Sequence, residues 1–286
     1  MSNQYILEDF VDREHHIALM WQMQRCEIET RVLAIEGQGG MGKSYLLAEF
    51  KAQCQESGIE VVSLDFEQRY EDPGYLHLVK KTWLGLGPDG FDPLAQLIRK
   101  TQDGGALGII SSELHISATT SDGDGTVNIR GGTNTFHDVA GRDINNFFVS
   151  FHREDPFVQE QARVQIADVL RKCLEDVTSR RNVVFLLDHW QKGDVDTRRW
   201  IVDSLVRWLA DHALPKACMV ITGIEVPDLD PRRSIRKTRL TELDDQSSHD
   251  YLVKKRGISH ETAPQIVQVT GGVPLMLAMA AERRSR

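Results

Sequence analysis

This chain of 286 residues lacks any stretch approaching the ~20 apolar residues of a membrane-crossing helix. Its opening residues, Met1-Ser2-Asn3-Gln4-Tyr5, hold neither a basic nor an apolar run, so no secretory signal peptide is expected. Cysteine is scarce: Cys26, Cys54, Cys173 and Cys218 are scattered without metal-ligand spacing, and reduced thiols in a cytoplasmic protein are the expectation. Positive charge is also short. With 34 Lys+Arg against 42 Asp+Glu the net charge is −8, which argues against a general nucleic-acid binder. The deficit is uneven: residues 231–286 carry 11 basic against 6 acidic side chains, while the rest carries 23 against 36. Such a basic segment suits phosphates or an acidic partner, or is a solvated helical surface. Composition is otherwise that of a globular protein, long enough for one large or two smaller domains.

What is present is concentrated in eight residues. Gly37-Gln38-Gly39-Gly40-Met41-Gly42-Lys43-Ser44 fits G-x-x-x-x-G-K-[ST] at every fixed position. That motif needs a strand before it and a helix after it. Val32-Leu33-Ala34-Ile35 has the profile of a buried strand, and Tyr45 to Phe50 places Leu46, Leu47 and Phe50 at helical spacing. The glycines let the backbone curl round an anion, with N–H groups turned inward at a helix N-terminus. Lys43 then reaches the β- and γ-phosphates, the Ser44 hydroxyl ligates Mg²⁺, and Tyr45 borders the same loop. The expected ligand is a nucleotide with Mg²⁺.

The surrounding pattern predicts an α/β protein, a parallel sheet with helices on both faces. Residues 1–30 form a lead-in with an amphipathic helix from near Asp12. Residues 31–230 form the nucleotide-binding domain. It holds strands at Ile59–Phe66, Asn182–Asp188 and Ala217–Gly223, and helices at Tyr75–Leu86, from Pro156 to about Ser179, and at Trp200–Leu209. Residues 104–150 contain 8 of the 22 glycines and no lysine, and read as an inserted β-rich segment or a long loop. Residues 235–286 read as mostly helical, and 231–286 as a small lid.

Asp188 ends an apolar strand, where an acid would hold Mg²⁺ opposite Ser44. Hydrolysis also needs a group to orient the attacking water. His189 follows instead of a second acid. It reads either as a proton acceptor in that role or as a strand-end surface histidine. Glu36 and Glu225 are other acids near strand ends, and Thr222 is a candidate polar sensor of the γ-phosphate.

Five features together resemble the STAND-class signalling NTPases, an AAA-related P-loop group that includes the NB-ARC and NACHT branches. Phe10-Val11-Asp12-Arg13-Glu14 is similar to the family lead-in F-x-G-R-E, with Asp12 where glycine is usual. Gly37–Ser44 is the Walker A motif and Leu186-Leu187-Asp188-His189-Trp190 resembles Walker B. Met219-Val220-Ile221-Thr222-Gly223 sits at the sensor-1 strand, and Gly271-Gly272-Val273-Pro274-Leu275 resembles the G-x-P-L motif of the lid. The resemblance implies that Val11 packs near the adenine, Arg13 sits near the nucleotide and Pro274 closes the pocket. It further implies a switch: ADP holds the lid closed, and exchange for ATP permits oligomerisation or assembly with effector and sensor chains, in bacterial regulation or antiviral defence. His189 and the Ile224-Glu225 pair, standing where the family often has an acid and an arginine, point to slow hydrolysis. Family members usually continue into a winged-helix domain and a repeat sensor. Ending at Arg286, the sequence reads as a short form, as a fragment, or as a chain whose sensor and effector lie elsewhere. A non-hydrolysing nucleotide-dependent scaffold and a nucleic-acid-associated AAA-type ATPase are the competing readings.

Overall fold

The computed structural model describes residues 13–68, 75–103 and 156–284, with side chains at 13–68, 75–97 and 163–283. Phe10, Val11 and Asp12 of the lead-in and the 104–150 insertion lie outside the described residues.

Among the described residues five strands, β1 (Val32–Glu36), β2 (Glu60–Asp65), β3 (Val183–Asp188), β4 (Ala217–Gly223) and β5 (Ile235–Arg239), form one sheet in the order β2-β3-β4-β1-β5, every pair parallel. Strands β3 and β4 are buried along their whole length, as parallel strands covered on both faces must be, and their sequences are correspondingly apolar runs. Alternate residues select the faces. Leu33 and Ile35, Val184 and Leu186, and Cys218 and Val220 pack against α1 (Glu14–Gln24) and α2 (Lys43–Glu56) through Met20, Met23, Leu46 and Phe50. Trp21 seals this layer edge-on to Phe50, with its indole N–H donating to Gln53 at 2.8 Å. Other helices cover the remaining face. Helix α3 (Tyr75–Leu86) lies along β2, and Tyr75 stacks on Trp200 with ring centres 5.2 Å apart.

Helices α4 (Asp92–Asp103) and α5 (Pro156–Arg180) follow α3 in the described chain. Two compact units can be distinguished: one is Met1–Leu86 with Leu174–Arg286, the other Gly87–Cys173. The second unit holds α4 and the first part of α5, with Phe91, Leu94, Ile166 and Leu170 buried. In the first unit, α6 (Val195–Ile201) runs through a π-helical stretch, Val202–Val206, into α7 (Arg207–Ala210). Asp194 starts α6 by accepting from Thr197 N at 2.8 Å and Thr197 Oγ1 at 2.6 Å.

The expectation of a mostly helical 235–286 fails at its start, where β5 pairs with β1. Ile-Arg-Lys-Thr-Arg lacks an apolar run because β5 is, among the described residues, an edge strand, half-exposed, with charges that suit an edge. Helices begin only at α8 (Asp245–Asp250), which continues as a π-helical stretch over Tyr251–Lys255, followed by α9 (Ala263–Thr270) and α10 (Pro274–Arg284). They share a small core of Leu243, Tyr251, Leu252, Ile266, Leu277 and Ala281. Gly272, at φ +73, turns the chain into α10 so close to Leu243 that a Cβ there would stand 2.3 Å from its carbonyl oxygen.

Candidate functional site

Parallel register brings the strand ends to one edge. Asp65 pairs with Asp188, Ile35 with Thr222, and Glu36 with both Gly223 and Arg239. The loop from β1 to α2, residues 37–42, crosses this edge. Gly40 and Gly42 adopt φ of +83 and +86, which a side chain resists. Gly37 passes so close to Leu240 that a Cβ would meet its carbonyl oxygen at 2.9 Å. Lys43 opens α2 and folds back into the loop, its Nζ donating to Gly37 O at 2.7 Å and Gln38 O at 2.8 Å. Burial holds its pKa below the ordinary lysine range, with the nearby Asp188 charge acting in the opposite sense.

Beside the loop lies a cavity of about 500 Å³, in the range of a small-molecule site. Gly39 to Tyr45 form one wall. Glu67, His189, Gln191, Lys192 and Ile224 line another, and Arg13, Leu243, Tyr251, Arg256, Pro274, Leu275 and Ala278 complete it. Of the residues singled out from the sequence, Arg13, Gly39, Gly40, Met41, Gly42, Lys43, Ser44, Tyr45, His189 and Pro274 therefore line one space. Gly37, Gln38 and Asp188 are not on its surface and act from behind it: the first two hold Lys43, and Asp188, 9% exposed, faces the β4 end. Arg13 is buried at the start of α1, with Nη2 donating to Thr241 O at 2.6 Å. The segment leading to Pro274 touches the loop directly, since Leu275 N donates to Gly40 O at 3.2 Å.

The acidic wall is a network of side chains. Thr222 Oγ1 and His189 N both donate to Asp188 Oδ1, at 2.5 and 2.8 Å. His189 adopts φ +54, and its Nδ1 lies 2.7 Å from Asp65 Oδ1, with Nε2 3.5 Å from Glu67 Oε2. A carboxylate only accepts, so Asp65 sets the ring tautomer by accepting a hydrogen bond from Nδ1–H. Sequence reasoning missed Asp65, Glu67 and Gln191. Only the end of an apolar run beside another, at Asp65, offered a signal. Glu225 is not among the cavity-lining residues, and Glu36 instead binds Lys237 and Arg239 of β5 at 3.1 and 2.7 Å. Those two partners hold its carboxyl below the usual range, first through the Arg239 hydrogen bond.

Mg²⁺ favours oxygen ligands and usually takes one or two from protein, the rest from phosphate and water. The Ser44 hydroxyl, exposed on the cavity wall, and the Asp188 carboxylate behind it match that chemistry in kind and number.

No protein-family model matches the sequence, and comparison with curated proteins gives no significant match. Solved structures do. A Cdc6p from Pyrobaculum aerophilum matches with a TM-score of 0.50 at 12% identity, over 100% of this chain and 67% of that one. A STAND protein with a tetratricopeptide repeat sensor from Pyrococcus horikoshii gives 0.46 at 13% identity, over 96% of this chain and 30% of that one. A DNA replication initiation factor gives 0.43 at 11%, over 95% and 60%. The chain thus spans less than a third of the Pyrococcus protein. Among the described residues no helix is long and apolar enough to cross a membrane. The match to Cdc6p, the five-stranded parallel sheet and the glycine loop between β1 and α2 establish that the chain has the α/β fold of the P-loop NTPases.

Proposed function

We propose that the chain binds ATP and ADP with Mg²⁺ in this cavity and works as a STAND-type signalling switch, a slow ATPase whose nucleotide state governs assembly with copies of itself or with effector and sensor chains. The observation that carries the reading is the seating of Lys43: a buried cation held by two loop carbonyls, beside a glycine loop, facing a cavity large enough for a nucleotide. In this reading Lys43 neutralises the β- and γ-phosphates, while Ser44 and Asp188 hold Mg²⁺, which would draw charge from the phosphate oxygens. Thr222 keeps the Asp188 carboxylate oriented. Arg13 would sit near the nucleotide and Pro274 would close the pocket from the lid side; both line the cavity. His189, its Nδ1 engaged by Asp65, takes the proton of the attacking water at Nε2.

The test is direct. Purified protein is expected to bind ADP and ATP with Mg²⁺ by calorimetry and to assemble when ATP replaces ADP, both lost in Lys43→Ala. Unchanged nucleotide affinity in that variant would defeat the proposal. A second reading, a nucleotide-dependent scaffold without turnover, is favoured by one feature, the tethering of His189 in place of a free carboxylate. Turnover that Asp188→Ala removes excludes it.

A further inference from the structure

We propose that Gln191 distinguishes a nucleoside triphosphate from a diphosphate in this pocket, its side-chain amino group donating to an oxygen of the terminal phosphate. This rests on the nucleotide reading above and adds to it a residue outside the recognised motif.

Gln191 is the third residue after Asp188, on the single 3-10 turn Trp190–Lys192, and lines the same cavity as Gly39 to Tyr45. Its carboxamide does not swing freely. The backbone N–H of Ile224, just past the end of β4, donates to Oε1 at 3.1 Å. A backbone N–H can only donate, so the oxygen of the amide must face it, and this settles which end of the group points where. The amino group, with two N–H donors, is turned away from that anchor, and among the described residues nothing accepts from it.

The approach of Gln191 to β4 depends on Gly223. A Cβ at that position would stand 2.8 Å from Gln191 Oε1 and 2.2 Å from Glu225 O. A glycine at the strand end is therefore what lets the glutamine reach across. Of the neighbouring side chains, the Thr222 hydroxyl is taken by Asp188 and His189 Nδ1 by Asp65. Lys192 also lines the cavity but is exposed and has no comparable anchor. Gln191 thus offers a pre-positioned pair of donors to a cavity whose opposite wall is a phosphate loop. Donors suit phosphate oxygens. A diphosphate fills the loop, and the added phosphate of a triphosphate gives these donors their acceptor.

Three variants separate this role from a structural one. Gln191→Glu keeps an oxygen for Ile224 N but replaces the donors with a charged acceptor; Gln191→Met removes donors and acceptor at similar volume; Lys43→Ala marks loss of the pocket as a whole. The measurement is calorimetric affinity for ADP and for the β,γ-imido analogue of ATP, each with Mg²⁺, alongside thermal unfolding without nucleotide. For both Gln191 variants the triphosphate analogue is expected to weaken by about tenfold or more while ADP changes by less than about threefold. Equal loss for both nucleotides, or no loss for either, overturns the proposal. If Gln191→Glu unfolds early, Gln191→Met carries the same comparison. Wild-type protein that binds neither nucleotide overturns the pocket reading itself, whereas wild-type binding with an unselective Gln191 loss overturns only this one.

Discussion

The two polar walls of the cavity are made by opposite means. The loop wall, Gly37 to Lys43, works through backbone: two residues at positive φ, close approaches that admit no Cβ, and one cation folded back onto loop carbonyls. The facing wall works through side chains. Asp65, Asp188, His189 and Thr222, on it or behind it, come from three strand ends and are joined by hydrogen bonds, while Gln191 is held by the backbone N–H of Ile224. Backbone geometry is written in a short contiguous string, because only glycine permits it. A side-chain network is written across the chain, and its members meet only once the strands are in register. In the proposed function the first wall holds what every nucleotide shares, and the second distinguishes one state from another.

Four variants press on that contrast. The largest effect is expected from Lys43→Met, with nucleotide affinity falling about 100-fold or more by calorimetry, since a charge-assisted contact to phosphate is lost. Stability should move the other way. Burial lowers the folded-state pKa of Lys43 below that of the unfolded chain, so the ammonium opposes folding at neutral pH. That opposition fades as pH rises through the ordinary lysine range, and Lys43→Met is expected not to lower the Tm of nucleotide-free protein at pH 7. Thr222→Val tests the side-chain wall: it removes a fully buried donor to a carboxylate at constant shape, and should cost about 1.5–3 kcal/mol in denaturant unfolding. Gly42→Ala tests the backbone wall. Nothing crowds a Cβ there, so the φ of +86 alone should cost about 1–2 kcal/mol, by the same measurement. Asp194→Ala, at the start of α6 and on neither wall, should cost about 1 kcal/mol and leave nucleotide affinity unchanged. A large affinity loss in that control would show that the two walls are not the units described here.

Legibility in the sequence follows the same division. The central strands β1, β3 and β4 were readable because burial on both faces demands unbroken apolar runs. Helix α3 was readable to its last residue because Gly87 and Gly90, both at positive φ, follow it. Strand β5 was not, since an edge strand tolerates the Arg236, Lys237 and Arg239 that look like a solvated helix. Lys43, Ser44 and Asp188 stood out by motif or by position at a strand end. Asp65 did not, because nothing in a single sequence says that β2 lies beside β3. Gln191 was invisible for a further reason: its orientation depends on a backbone N–H at Ile224, which every non-proline residue carries and no sequence pattern marks.

The contact between Leu275 N and Gly40 O has a consequence in the order of folding. The first turn of α10 leaves amides that its own helix cannot satisfy, and one of them is satisfied by a carbonyl near the other end of the chain. The two partners are separated by most of the sequence, so the bond is expected to form after the sheet has assembled and β5 has been laid beside β1. Closing so long a loop costs little more than closing one half its length, but the contact itself must wait. The Leu275 amide is therefore expected to gain exchange protection late in refolding and to lose it early in unfolding, ahead of the amides of β3.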